Sequence, residues 1–172
     1  MLAPDPRFDE IDGMEGHEFE AAVADLLRLR GFDQIVRNRG FDKGADIVAV
    51  KNGVRTAVQT KRWGTPVNLK AVRQLVDGVK RYGCARGLLV TNHYLTPPAI
   101  ECAEEWGIEV WDRRELADWL PGEPPVLDTT VCAECGRPVT PGVTEWCLDH
   151  RAWYGGFVYC RRHQYASQRR AG

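Results

Sequence analysis

The sequence predicts an α/β fold in the order αβββαβαβα, a mixed sheet flanked by helices, followed by a small metal-stabilised module. Three observations predict it. Segments with apolar residues at helical spacing alternate with short β-type runs, which favours parallel pairing in the later strands. The pair Asn52-Gly53 separates two apolar runs and favours a tight two-residue hairpin. Four of the six cysteines crowd into the last 41 of 172 residues, beside His150 and His163. The start, MLAPDPRFDEID, is acidic where a secretory signal would be basic and then apolar, so this clustering reads as metal rather than disulfides.

Residues 1–12 are expected to be an N-terminal tail. Asp12 with Glu15 forms an acidic capping box, and Phe19, Val23 and Leu26 follow at helical spacing until Gly31, which predicts a helix over 13–30. Strands are expected at 32–38, 45–50 and 54–63, the last two joined through Asn52-Gly53. Asn68 caps a second helix whose apolar positions run from Leu69 to Tyr82, and GLLVT at 87–91 is a continuous apolar strand. Thr96-Pro97 opens a third helix through Trp106, 108–111 forms a strand, and Asp112 with Glu115 opens a last short helix. The main domain is therefore 13–120. Three prolines make 121–130 a semi-rigid linker to a module at 131–165, with a basic tail at 166–172.

Composition excludes a disordered or fibrous chain: 44% of residues are hydrophobic and 27% charged. Without a run of about 18 apolar residues, no membrane span is expected, and a cytoplasmic location follows. The formal charge is -1, but it is unevenly placed: 28–86 carries +10, against -7 over 1–27 and -5 over 87–120.

The hairpin register carries the chemistry. With Asn52 and Gly53 in the turn, Lys51 faces Val54 and Asp46 falls opposite Gln59, while the period of two puts Lys61 on the same face. An acid and an amide oxygen form a hard-oxygen set suited to Mg²⁺ or Mn²⁺, and an adjacent ammonium can hold a scissile phosphate. A half-buried Asp–Lys pair that only sets register is the structural alternative.

GHEFE at 16–20, GADIVA at 44–49, VQTKRW at 58–63 and LLVTN at 88–92 resemble the catalytic domain of the Mrr-like restriction endonucleases, of the PD-(D/E)xK nuclease superfamily. The resemblance implies a restriction-endonuclease-like αβββαβ core and metal-dependent DNA endonuclease activity in restriction or defence. It makes Asp46 the central metal ligand and Gln59 the residue at the usual Glu/Asp position. Lys61 becomes the catalytic lysine and the Thr60 carbonyl a further ligand. A helix-one acid also belongs to the pattern; Glu20 is the expected one and Glu18 its competitor. Lys43, Arg62, Lys70 and Arg73 become candidates for DNA phosphate contacts. The N-terminal DNA-binding domain of longer Mrr proteins has no counterpart, so target choice is expected to come from elsewhere. Cutting both strands of a duplex favours a homodimer. A non-catalytic DNA-binding adaptor and a junction-resolving or repair nuclease are the alternative functions.

Cys132-x2-Cys135 and Cys160-x2-His163 are spaced as two knuckles of a structural Zn²⁺ site, with Cys147-x2-His150 as a rival second knuckle. Trp146, Trp153, Tyr154, Phe157 and Tyr159 interleave with Arg151, Arg161 and Arg162, a pattern suited to nucleic acid or to a protein partner as well as to a small core. His17 and His93 are assigned no chemistry, and Cys84 and Cys102 read as buried thiols.

Overall fold

The computed structural model describes residues 5–38, 44–120, 128–150 and 157–164. A 3-10 turn at Pro6–Phe8 leads into α1 (Asp9–Gly13) and α2 (Gly16–Leu29). The strands are β1 (Asp33–Arg37), β2 (Ile47–Lys51), β3 (Val54–Lys61), β4 (Arg86–Thr91) and β5 (Glu109–Trp111). The remaining helices are α3 (Leu69–Arg81), α4 (Pro97–Glu105), α5 (Arg113–Ala117) and α6 (Pro141–Asp149). The sheet order is β1-β2-β3-β4-β5, with β1, β2 and β3 antiparallel and β4 and β5 parallel to β3. This is the mixed α/β sheet expected, and the elements from α2 to α5 follow the expected order, to which α1 and α6 are additions.

Asn52 adopts φ 52° and Gly53 φ 77°, as a tight hairpin turn requires, and Lys51 pairs with Val54. Successive β3 residues then face opposite layers. Ala57 joins Leu75, Leu89 and Ala99 under α3 and α4, whereas Val58 joins Phe19, Val23, Ile47 and Leu88 under α2. Asn68 caps α3 through Ala71 N, Thr96 caps α4 through Ala99 N, and Asp112 with Glu115 forms a complete capping box on α5. The box on α2 is shifted from the expected one. Glu15 is its N-cap and Glu18 its reciprocal acid, which releases Asp12 for another partner.

The segment expected to be a tail is anchored. Phe8 is fully buried within the α2-side core, the Arg113 guanidinium lies 3.8 Å from its ring centroid, and Arg7 Nη1 donates to Ala117 O at 3.0 Å. Trp106, the C-cap of α4, is half exposed beneath Lys80 Nζ at 4.7 Å.

One backbone contact holds the front of β2 against α3. A Cβ built on Gly78 would lie 2.2 Å from Gly44 O, and one on Gly44 would lie 2.1 Å from Gln74 O. Gly44 also has φ 83°. A helix-interior glycine ordinarily weakens a helix; here it admits the chain that leads into Asp46. Gly78→Ala is therefore expected to destabilise the fold by about 2 kcal/mol or more, despite alanine's higher helix propensity. A lowered midpoint in urea unfolding checks this, and an unchanged or raised midpoint contradicts it.

Candidate active site and metal centre

The β2–β3 ladder ends at Ile47↔Val58, and Asp46 N also donates to Val58 O at 2.9 Å. Asp46 and Ile47 thus share one partner residue, a bulge-like end that turns the acid out of the regular register expected for it. From there Asp46 Oδ2 accepts from Gln59 Nε2 at 2.7 Å, from Thr60 N at 2.7 Å and from Thr60 Oγ1 at 2.9 Å. Gln59 is fully buried, and its Oε1 has no hydrogen-bond partner among the described residues. A buried amide oxygen left without a partner costs about 1–3 kcal/mol. Set beside a carboxylate, it is also an oxygen that a divalent cation would satisfy, so this donor set fits Mg²⁺.

Lys61, half-buried, closes β3, with its Nζ 5.8 Å from the Trp63 ring centroid. The family model Mrr_cat, described as restriction endonuclease, matches residues 11–120, more than half of the chain, and this span holds Asp46, Gln59 and Lys61. The chain belongs to this family. Restriction-endonuclease type therefore describes the domain built on the five-stranded sheet. A crystal structure described as a protein of unknown function, AF1548, is 19% identical with a TM-score of 0.49, and the match covers 91% of this chain and 95% of that one. No curated protein matches the chain.

Within this Mrr-type domain the other expected residues are distributed unevenly. Glu20 lies on α2, and its Oε1 accepts from Arg37 Nε of β1 at 2.7 Å. Glu18 Oε2 accepts from Glu15 N at 2.7 Å within the capping box. Neither acid is among the described hydrogen-bond partners of Asp46. Arg62 Nη1 reaches Asp12 O at 3.4 Å, and its buried Nε has no hydrogen-bond partner among the described residues. Lys70 and Arg73 are both exposed on α3 but diverge. Lys70 is one turn before Gln74, whose carbonyl abuts Gly44, whereas Arg73 lines a groove with Trp106 and Glu105 against α4. Lys43 lies outside the described residues.

A polar network beside Lys61 escaped the sequence reading. Asn92, 3% exposed, accepts at Oδ1 from Trp63 N at 2.9 Å and donates from Nδ2 to Asp12 Oδ1 at 2.8 Å. Arg113 Nη1 donates to both Asp12 carboxylate oxygens and to Asn92 O, each at 3.0 Å. Its signal was the polar run Thr91-Asn92-His93 at the end of an apolar strand, where burial demands partners.

His93 is buried, with Nδ1 accepting from Tyr94 N at 2.8 Å. Burial, reinforced by the Arg113 charge, lowers its pKa from 6.5 to about 4. The unfolded chain thus takes up a proton below 6.5 that the folded chain refuses until about 4, so stability is lost as pH falls through this window. For a His93→Gln variant the loss between these two pH values is expected to shrink by about 3 kcal/mol, read from chemical denaturation at each pH. An identical pH profile in the variant refutes this.

At the C-terminal end, ligand atoms of Cys132, Cys135, Cys160 and His163 all lie within 4.8 Å of one another. His163 Nδ1 is 3.3 Å from Cys132 Sγ and 3.4 Å from Cys160 Sγ. Gly136, at φ 66°, turns the chain after Cys135, with its N donating to Cys132 O at 2.8 Å. Burial opposes ionisation of Cys132, but N–H groups from Cys160, the His163 ring and the 134–135 backbone outweigh it and hold the thiol well below its ordinary range. Three sulfurs and one imidazole nitrogen, gathered this closely, are donor types that suit a structural zinc ion.

The rival knuckle is not part of that cluster. Cys147 is fully buried, where its Sγ accepts from Tyr159 N and Gln164 Nε2, and the His150 ring stacks on Trp146 with centroids 3.8 Å apart. The aromatics divide between roles: Phe157 and Tyr159 are core, while Trp146 is 46% exposed. Trp153, Tyr154 and Arg151 lie outside the described residues, as do 121–127 of the expected linker and the basic tail. The module's core extends onto the Mrr-type domain, since Tyr94 packs with Cys132, Cys147 and Phe157, its ring edge-on to Phe157 at 6.4 Å. Among the described residues no helix is long and apolar enough to cross a membrane.

Proposed function

We propose that this chain is a divalent-metal-dependent DNA endonuclease that hydrolyses phosphodiester bonds, with a structural zinc in its C-terminal module. The observation that carries the reading is the pairing of Asp46 with a buried Gln59 whose amide oxygen has no partner among the described residues, in a chain of the restriction endonuclease family. A bound Mg²⁺ or Mn²⁺ supplies polarisation of the phosphodiester and a more acidic water. Asp46, Gln59 Oε1 and the Thr60 carbonyl hold it. Because Gln59 is neutral, Asp46 provides the only negative charge of the pair. Glu20, now paired with Arg37, is the helix acid that would complete the set of oxygens.

The Lys61 ammonium binds a phosphate oxygen and offsets the negative charge that grows there as the bond breaks. Arg62, half-buried one residue after Lys61, would contact a neighbouring phosphate, and Lys70 and Lys43 are the further candidates for phosphate contacts. Arg73, turned to the α4 groove, contributes at the periphery. A restriction or defence role and a homodimer acting on both strands complete the reading.

Supercoiled plasmid, methylated and unmethylated, and a four-way junction are the substrates that test it, each with Mg²⁺ or Mn²⁺. Metal-dependent nicking or linearisation supports the reading, and cleavage confined to the junction redirects it to a resolvase. Binding without cleavage of any of these substrates would leave an adaptor on a nuclease scaffold.

A further inference from the structure

We propose that Asn92 is a positioning residue for Lys61, a tether that sets where the ammonium stands once β3 has left the sheet; the inference rests on the reading of Lys61 given above. The parallel β3–β4 ladder ends at Lys61↔Thr91, so the backbone beyond it has no further strand partner in that ladder. Side chains from the end of β4 take over. Thr91 Oγ1 donates to Lys61 O at 2.7 Å, and Asn92 Oδ1 accepts from Trp63 N at 2.9 Å. The chain is thus gripped on both sides of Arg62, and the Trp63 ring, 5.8 Å from Lys61 Nζ, is placed by the same grip.

Asn92 is itself immobilised. Its Nδ2 donates to Asp12, Asp12 is held by the buried Arg113, and Arg113 stacks on the fully buried Phe8. The site requires one acceptor and one donor on a short side chain, which is asparagine's inventory. Aspartate would set a second carboxylate against Asp12, and leucine would leave Trp63 N without its acceptor. The N-terminal segment Pro6–Gly13 is thereby connected to the ammonium through three side chains, which gives that segment a task beyond core filling.

A displacement of about 1 Å at a reacting group lowers rate by about 100-fold. Asn92→Ala is accordingly expected to lower kcat by about 10- to 100-fold with KM for DNA within about twofold. It should also shift the Lys61 Cε resonance in selectively labelled protein. Val76→Ala, a core truncation where α3 faces α4, is the destabilised control that should change neither. Asn92→Asp alone should behave as Asn92→Ala, and combining it with Asp12→Asn, which restores a donor opposite an acceptor, should recover most of the rate and the resonance; this pair also covers the case in which Asn92→Ala does not fold. A wild-type Lys61 resonance in folded Asn92→Ala or Asn92→Asp, or an equal shift in Val76→Ala, overturns the tether. Wild-type cleavage by Lys61→Ala would instead overturn the assigned role of the lysine, while the resonance still decides whether Asn92 positions it.

Discussion

Asp46→Asn is expected to reduce metal-dependent DNA cleavage by about 10³-fold while leaving the fold intact. The size of the effect follows from charge. Asp46 is paired with Gln59, which is neutral, so an amide at 46 would leave the pair with no negative charge to hold a divalent ion. The fold is expected to survive because an asparagine oxygen can still accept from Thr60 N, which now donates to Asp46 Oδ2 at 2.7 Å. Asp46→Ala is the poorer probe, since it strips partners from Thr60 N, Thr60 Oγ1 and Gln59 Nε2 together. Plasmid cleavage across a Mg²⁺ titration, with circular dichroism as the check on folding, measures the effect. Cleavage within tenfold of wild type at saturating metal would remove Asp46 from the centre of the chemistry.

Removal of zinc is expected to produce the largest change in stability. In small metal modules binding free energy on the order of 10 kcal/mol is also folding free energy. The module here has few other resources: its buried cluster is Cys132, Cys147, Phe157, Val158 and Tyr159, together with Tyr94 from the Mrr-type domain. The purified protein should contain one zinc per chain. A strong chelator, or Cys135→Ser, should unfold the module and lower the calorimetric transition of the whole chain, because Tyr94 loses the Phe157 ring that packs 6.4 Å from its own. A zinc-free protein with an unchanged transition would refute both the metal and the shared core.

Much of the framework was legible in local sequence. Asn52-Gly53 imposed the turn and with it the Lys51↔Val54 pairing, because that dipeptide readily adopts the positive φ values a tight hairpin demands. Asn68, Thr96 and Asp112 announced three helices, since each satisfies a backbone N–H that the helix itself leaves open. Register then brought Asp46 and Gln59 within reach of each other, but the contact ran through the bulge-like end of β2 rather than through regular cross-strand pairing. Glu20 shows the limit of a helical wheel, which gives a residue's direction from its own axis but not the arginine waiting on another strand.

The sequence by itself determined the five strands, the hairpin, and helices α3, α4 and α5 with their caps, because each depends on neighbours within a few positions, but it did not determine α1, α6 or the cap of α2. Only the tertiary structure decided that Gly78 admits Gly44, that the Asp12 side chain binds Asn92 and Arg113 instead of capping α2, that Phe8 enters the core, and that Tyr94 packs with the C-terminal module. Those contacts join residues from 34 to more than 100 positions apart. They form because buried polar groups must find partners and packed backbones must find room, and neither requirement is written in the spacing of any one segment.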